Sequence, residues 1–322
     1  MRAAAITLLG VACACGRKEP PSAASAGPSL SALLATVPAA SSAPEEDGGA
    51  CSATHPGGCT AAAKKLRATD PAKAAELFTI GCDGGSIRSC VDLGGILAEG
   101  EGVPKDSERA RALFLRACAA ENPWGCHNLG VVLRDHLHVD EGIALEALER
   151  ACERLPASCH DAADSYAKGL GVPKDMTRAA AALRRACDHD VARSCVALGR
   201  YMKDGELPDP ERAFGELFDK ACDLNDGDGC AYAGIVHLAT AADAIARFEK
   251  GCTLGSKAAC SVLGDYLSDG AIVSKDPERA AQAYDRACAL KDSASCAQSK
   301  QLRSASRAPT PGARAPAPSA SP

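Results

Sequence analysis

The feature that most constrains this chain is a cysteine pair that returns at one spacing. Seven residues separate Cys82 from Cys90, and the same gap recurs at Cys51–Cys59, Cys118–Cys126, Cys187–Cys195, Cys222–Cys230, Cys252–Cys260 and Cys288–Cys296. Cys152–Cys159 is the same unit with one residue fewer. These eight pairs use sixteen of the eighteen cysteines, and Cys13 and Cys15 lie near the start. The first cysteines of successive pairs are 31, 36, 34, 35, 35, 30 and 36 residues apart. A period near 35, without strand-like alternation, predicts stacked helix pairs.

Each unit is built alike. Four residues before the first cysteine stands Phe78, Phe114, Leu148, Leu183, Phe218, Phe248 or Tyr284. That spacing puts the large apolar residue and the cysteine on one helix face. After the second cysteine come Leu93-Gly94, Leu129-Gly130, Leu198-Gly199 and Leu263-Gly264, with Ala233-Gly234 as a weaker copy. The second cysteine therefore opens the next helix, and the glycine lets a neighbour approach closely. Asp70-Pro71, Asp209-Pro210 and Asp276-Pro277 set an N-cap acid before a first-turn proline, and Asp106 and Asp175 do so without it. Gly-rich loops at 100–106 and 169–175 account for most of the variation in period.

Aromatics make up only 3% of the chain, so close-packed alanine-rich helices are the expectation. The net charge of −5, with no sustained basic stripe, argues against nucleic acid as a ligand. Met1-Arg2 followed by the short apolar run Ala3 to Ala12 has the form of an export signal. Gly10-Val11-Ala12-Cys13-Ala14-Cys15 resembles a bacterial lipoprotein cleavage site, with Cys13 or Cys15 as the lipidated residue. Export implies an oxidising compartment and disulfides. Two antiparallel helices joined by a short turn bring each pair within bridging reach. Zinc is the competing reading, but it favours short C-x2-C spacings gathered in fours.

The Leu-Gly helix start, the Gly-x-Gly-Val-Pro-Lys-Asp loop and the Ala-Cys helix end resemble Sel1-like repeats, relatives of the tetratricopeptide repeat. With a cysteine pair in every unit, the chain is similar to the secreted Helicobacter cysteine-rich protein family. That resemblance covers about Cys51 to Cys296. It departs at the first unit, at 132–141 and at the Cys152–Cys159 turn. It implies an all-α fold, an α/α solenoid wound as a right-handed superhelix of disulfide-stapled helix pairs. It also implies a scaffold for protein–protein contact, and some cysteine-rich members bind or slowly hydrolyse β-lactams.

The residues offer little for that chemistry. A serine β-lactamase needs Ser-x-x-Lys with Ser-Asp-Asn and Lys-Thr-Gly elements. Ser165-Tyr166-Ala167-Lys168 matches the first, making Ser165 and Lys168 the catalytic candidates. Lys-Thr-Gly and Ser-Asp-Asn are missing, and Ser268-Asp269-Gly270 is a partial look-alike. His136 and His138, near Asp135, Asp140 and Glu141, form a grouping read as a solvated loop, so no metal is assigned. His127 and His160, each after a second cysteine, read as exposed helix starts. Trp124, the one tryptophan, reads as a cover for the Cys118–Cys126 bridge, with a rim contact as its other role. The glycine loops lack the Lys-Ser or Lys-Thr of a phosphate cradle.

The expected organisation is a lipoprotein-type signal at 1–14, a disordered Pro/Ala/Ser tether at 15–50, a solenoid of about seven helix pairs plus a terminal helix at 51–303, and a disordered tail at 304–322. The expected function is a non-catalytic scaffold holding a protein or peptide, without cofactor, touching a membrane through the lipid anchor alone. Its expected place is the bacterial periplasm or outer membrane, or outside the cell if no lipid is added. β-Lactam binding or weak hydrolysis is the alternative.

Overall fold

The computed structural model describes residues 29–38, 49–52, 54–208 and 213–307. Cys13, Cys15, most of the tether, the Asp209-Pro210 cap and the tail beyond Arg307 lie outside them. Among the described residues the chain is helical, apart from one isolated bridge between Ser52 and His55. A short helix, α1 (Leu30–Ala35), precedes the array. Then come α2 (Pro56–Leu66) with α3 (Pro71–Asp83), α4 (Ile87–Glu99) with α5 (Ser107–Ala119), and α6 (Pro123–Val131) with α7 (Glu141–Cys152). The array continues with α8 (Pro156–Lys168) and α9 (Met176–Asp188), α10 (Ala192–Lys203) and α11 (Phe214–Asp223), α12 (Gly227–Val236) and α13 (Ala241–Thr253), and α14 (Lys257–Asp269) and α15 (Pro277–Ala289). A terminal helix, α16 (Ser293–Arg307), closes it. α16 thus runs a turn past the boundary that composition sets at 303.

Local chemistry fixes the helix ends. The carboxylates of Asp70, Asp106, Asp175 and Asp276 accept from the backbone N–H three residues on, at 2.9–3.0 Å. α4, α8 and α14 end on Gly100, Gly169 and Gly270 in the left-handed conformation, each returning its N–H to the carbonyl four residues back. At 132–137, where a weak loop is expected, the backbone continues α6 as a π-helical turn to Leu137.

Two contacts repeat along the stack. Within a pair, the Leu-Gly glycine faces the large residue before the next cysteine. A Cβ on Gly199 would lie 2.7 Å from Phe218, and one on Gly94 would lie 2.5 Å from Phe114. Glycine is therefore what seats the aromatic in the core, where Phe114, Phe218 and Phe248 are buried. Between pairs, every bridge from Cys51–Cys59 to Cys288–Cys296 is formed, with Cα atoms 4.2–4.8 Å apart. Each joins the last turn of one helix, or the segment before α2 in the first case, to the first turn of the next.

Neighbouring even-numbered helices touch directly, α2 with α4, α4 with α6, α10 with α12 and α12 with α14, while the comparable approach in the odd row is α13 with α15. The closer-spaced even row lies on the inside of the solenoid's curve.

The tether is not uniform. Within it α1 is capped by the Ser29 hydroxyl, and Leu30 is buried against the array. Its leucines recur at helical spacing, enough to dock one and a half turns. Composition alone reads that patch as a transient helix.

Candidate functional site

The inner row carries a ladder of polar contacts across the repeat joints. Ser89, Ser158 and Ser194, each just before a second cysteine, are fully buried. A buried hydroxyl needs a partner. Each finds it on the residue after the second cysteine of the preceding repeat. Thr60 Oγ1 lies 2.6 Å from Ser89 Oγ, His127 Nδ1 3.0 Å from Ser158 Oγ, and His160 Nδ1 3.0 Å from Ser194 Oγ. Where the first position is instead Val91, Val196 or Ala231, the residue before the next repeat's second cysteine is Gly125, Gly229 or Ala259, none with a hydroxyl. Ser295 departs from the rule and donates its hydroxyl to Asp292 Oδ2.

His127 and His160 are therefore not exposed helix starts. The side chain of His127 is 17% exposed, and burial pushes both imidazoles below their usual range. The guanidinium groups of Arg193 and Arg134 act in the same direction on both, while Asp161 opposes them. Asp161 is the hub of this group. Its carboxylate is 3.4 Å from Arg193, 3.7 Å from Arg134 and 3.9 Å from His127. Arg134, itself only 10% exposed, also chelates Asp135 and donates to the Asp161 carbonyl.

Open clefts lie on either side of this hub. One, of about 630 Å³, is lined from α2, α4 and α6 and its preceding turn by Lys64, Arg67, Arg88, Asp92, Trp124 and Asn128. Arg67 is held by a two-pronged contact with Glu101, at 2.9 and 3.0 Å. The other, of about 320 Å³, is lined from α8, α9 and α10 by residues including His160, Asp164, Arg193, Arg200 and Tyr201. Arg88, Trp124 and Arg193 share one sequence position, two before the second cysteine, where other repeats carry Ala157, Asp228 or Ala258. That shared position is the signal for the inner face. Trp124 is 52% exposed and makes a T-shaped contact with His127, at 6.1 Å between ring centroids. The structure gives it the rim position, at the mouth of the first cleft.

The two catalytic candidates are not brought together. Ser165 is 2% exposed and donates its hydroxyl back to the Asp161 carbonyl at 3.3 Å. Lys168 Nζ points to solvent and pairs with Asp164 at 2.7 Å. His136 sits on the π-helical turn, 16% exposed and 3.6 Å from Glu99, and so is not in a solvated loop. No group of three or more metal-ligating side chains forms among the described residues.

The Sel1 repeat profile matches residues 65–86, 87–122, 156–191, 192–226 and 257–292. The chain belongs to the Sel1 repeat family. Cytochrome c oxidase assembly factor 7A of Xenopus laevis is 30% identical over 165 residues, covering 47% of this chain and 71% of that protein. The cytochrome c oxidase assembly factor 7 homolog of Drosophila melanogaster is 33% identical over 90 residues, covering 26% of this chain and 32% of that protein. A crystal structure of a Sel1 repeat protein from Oxalobacter formigenes superimposes with a TM-score of 0.64 at 20% identity, covering 76% of this chain and 75% of that one. The last likeness concerns the fold alone. Sel1 repeats generally mediate protein–protein interaction.

Proposed function

We propose that this Sel1 repeat chain is an exported, lipid-anchored scaffold whose inner face holds a protein or peptide, with no chemistry of its own. Trp124 carries the reading. A lone tryptophan half open to solvent contributes little to the core, and aromatic and arginine side chains in a cleft are typical anchors for a partner. Stapled helices hold that cleft rigid, which lowers the ordering cost of binding. Proteins named as assembly factors are among its relatives, and holding another protein is a task this surface suits. The bridges suit an oxidising compartment, and the signal-like start would deliver the chain there with Cys13 or Cys15 lipidated.

Site-specific photo-crosslinking tests the binding face. A photoreactive residue at Trp124 is expected to trap one discrete protein adduct in envelope preparations, and one at the exposed Arg184 on the odd-row helix α9 is not. Equal adducts at both, or none at Trp124, would overturn the assignment. Membrane fractionation of Cys13→Ser and Cys15→Ser variants tests the anchor. One of them should release the protein from the membrane fraction.

A further inference from the structure

α1 shows a second docking surface, on the opposite row of helices from Trp124. It packs against α5 and α7. Leu30 is 4% exposed, Leu33 and Leu34 are half-buried in the same apolar cluster, and Val37, just past the C-cap Thr36, is half-buried. Ser31, Ala32, Ala35 and Thr36 face solvent. The backbone N–H of Leu30 donates to Glu146 Oε2 on α7 at 2.8 Å. The surface beneath is specific to this repeat. Three residues before the first cysteine the other repeats carry Thr79, Glu149, Arg184, Asp219, Glu249 and Asp285. In α5 alone among them the residue is apolar, Leu115, and it packs against the same apolar cluster that Leu30 belongs to.

α1 fills only part of the furrow. A crevice of about 710 Å³ continues past its N-terminal end, lined by Glu121, Glu146, Glu149, Glu153, Arg150 and Arg154, four acids to two bases. α1 is also weakly held. It has six residues, too few for a stable isolated helix, and it buries one leucine fully. Full burial of a leucine contributes about 1.5–3 kcal/mol, against roughly 1–2 kcal/mol for ordering each backbone residue.

We propose that the furrow between α5 and α7 is a docking site for a helix of a partner protein. That helix would carry leucine-like residues at i, i+3, i+4 and i+7 and basic residues upstream of them. α1 occupies the apolar half as an internal placeholder. The partner's leucines take the places of Leu30, Leu33, Leu34 and Val37, and its upstream cations meet the four glutamates. A longer helix gains the charged half of the crevice, which α1 leaves open, and this is what displaces α1.

The probe is a stapled peptide spanning Ser29 to Val37, with two lysines added before Ser29 and the staple across the solvent-facing positions 31 and 35. Full-length wild type is compared with Leu30→Asp/Leu34→Asp, in which α1 is undocked, by fluorescence anisotropy. Removing the tethered competitor is expected to tighten binding about tenfold or more. Adding Leu115→Glu should abolish binding, and replacing the two lysines with glutamates should weaken it several-fold at low salt. Circular dichroism of each variant checks folding, and Leu30→Ala/Leu34→Ala replaces the aspartate pair if that variant unfolds. Equal binding to wild type and opened protein, or binding indifferent to Leu115→Glu, overturns the proposal. So does a wild-type dimer that Leu30→Asp dissociates, because a second copy's α1 would then be the occupant.

Discussion

The imidazole of His127 and the hydroxyl of Ser158 lie 3.0 Å apart across the joint between two repeats, and His160 and Ser194 make the same contact one joint on. These contacts sit beside Asp161, Arg134 and Arg193, so the central joints combine inter-repeat adhesion with a titratable group.

Stability should therefore fall with acidification below neutrality. Burial, aided by Arg193 and Arg134, holds both folded-state imidazoles below the ordinary value of 6.5. The unfolded chain then takes up protons first as pH drops through 6.5. The stability contributed by neutral His127 and His160 is whole above that pH and is lost as pH falls toward the depressed folded values. Urea midpoints between pH 7.5 and 5 should decline in wild type and flatten in His127→Asn/His160→Asn, which keeps a hydrogen-bonding atom near the Nδ1 position. Parallel declines in the two proteins would remove the histidines from the explanation.

Two glycines should respond in opposite senses to alanine. At Gly199 a Cβ would lie 2.7 Å from the fully buried Phe218 ring, so Gly199→Ala should cost about 1–3 kcal/mol through forced repacking. At Gly95 the nearest atom is Arg67 Nη2 at 4.0 Å, so Gly95→Ala should gain about 0.5–1 kcal/mol from helix propensity. Denaturant midpoints of the two variants measure this directly.

The contrast between these glycines shows what the sequence could carry. Periodicity made the helix pairs legible, because Phe78, Phe114, Phe218 and Phe248 repeat at a fixed distance from a cysteine and Leu-Gly at a fixed distance after one. The caps at Asp70, Asp106, Asp175 and Asp276 were legible for the same reason, since capping is a local matter. The His–Ser ladder was not. Its partners stand about one repeat apart, and only the register of the stack sets His127 opposite Ser158. The same holds for Leu115, whose oddness among the repeats acquires meaning from the apolar cluster it shares with Leu30. Ser165 stood in a motif match that lacked its partner elements. A short motif match says nothing of whether the hydroxyl faces solvent or its own helix.

Ser165→Ala should accordingly leave the protein folded and alter stability by less than about 1 kcal/mol, since a Ser hydroxyl bonded back to the i−4 carbonyl adds little to a helix. Neither wild type nor the variant should hydrolyse a chromogenic cephalosporin, because a nucleophile 2% exposed cannot reach a substrate carbonyl. Hydrolysis by wild type that disappears in Ser165→Ala would reinstate the catalytic reading.

Each bridge closes a short loop. On the chain-entropy model, removing Cys222–Cys230 by a double serine substitution should cost about 2–3 kcal/mol. In a stack with nearest-neighbour coupling the loss should concentrate at that joint. Hydrogen exchange should rise in α11 and α12 while α2 to α4 stay protected. Uniform deprotection along the array would mean that the bridges act collectively and not joint by joint.

Asp161 gives the most discriminating test, because it opposes the other influences on His127. Its carboxylate favours the imidazolium, while burial, Arg193 and Arg134 disfavour it. Asp161→Asn removes the one favourable charge and leaves the two guanidinium groups in place. The folded-state pKa of His127 should then fall further below 6.5, the acid-sensitive window should extend to lower pH, and more stability should be lost across it. Arg134 keeps its contact with Asp135, so the substitution does not strand a buried cation, and the cost at pH 7.5 should stay near 1–2 kcal/mol. Titrating the His127 Cε1–H resonance by NMR in wild type and Asp161→Asn reads the shift directly. A rise in that pKa would mean that the arginines reorganise away from His127 when the carboxylate is gone, and the hub would then be held together by Asp161 alone.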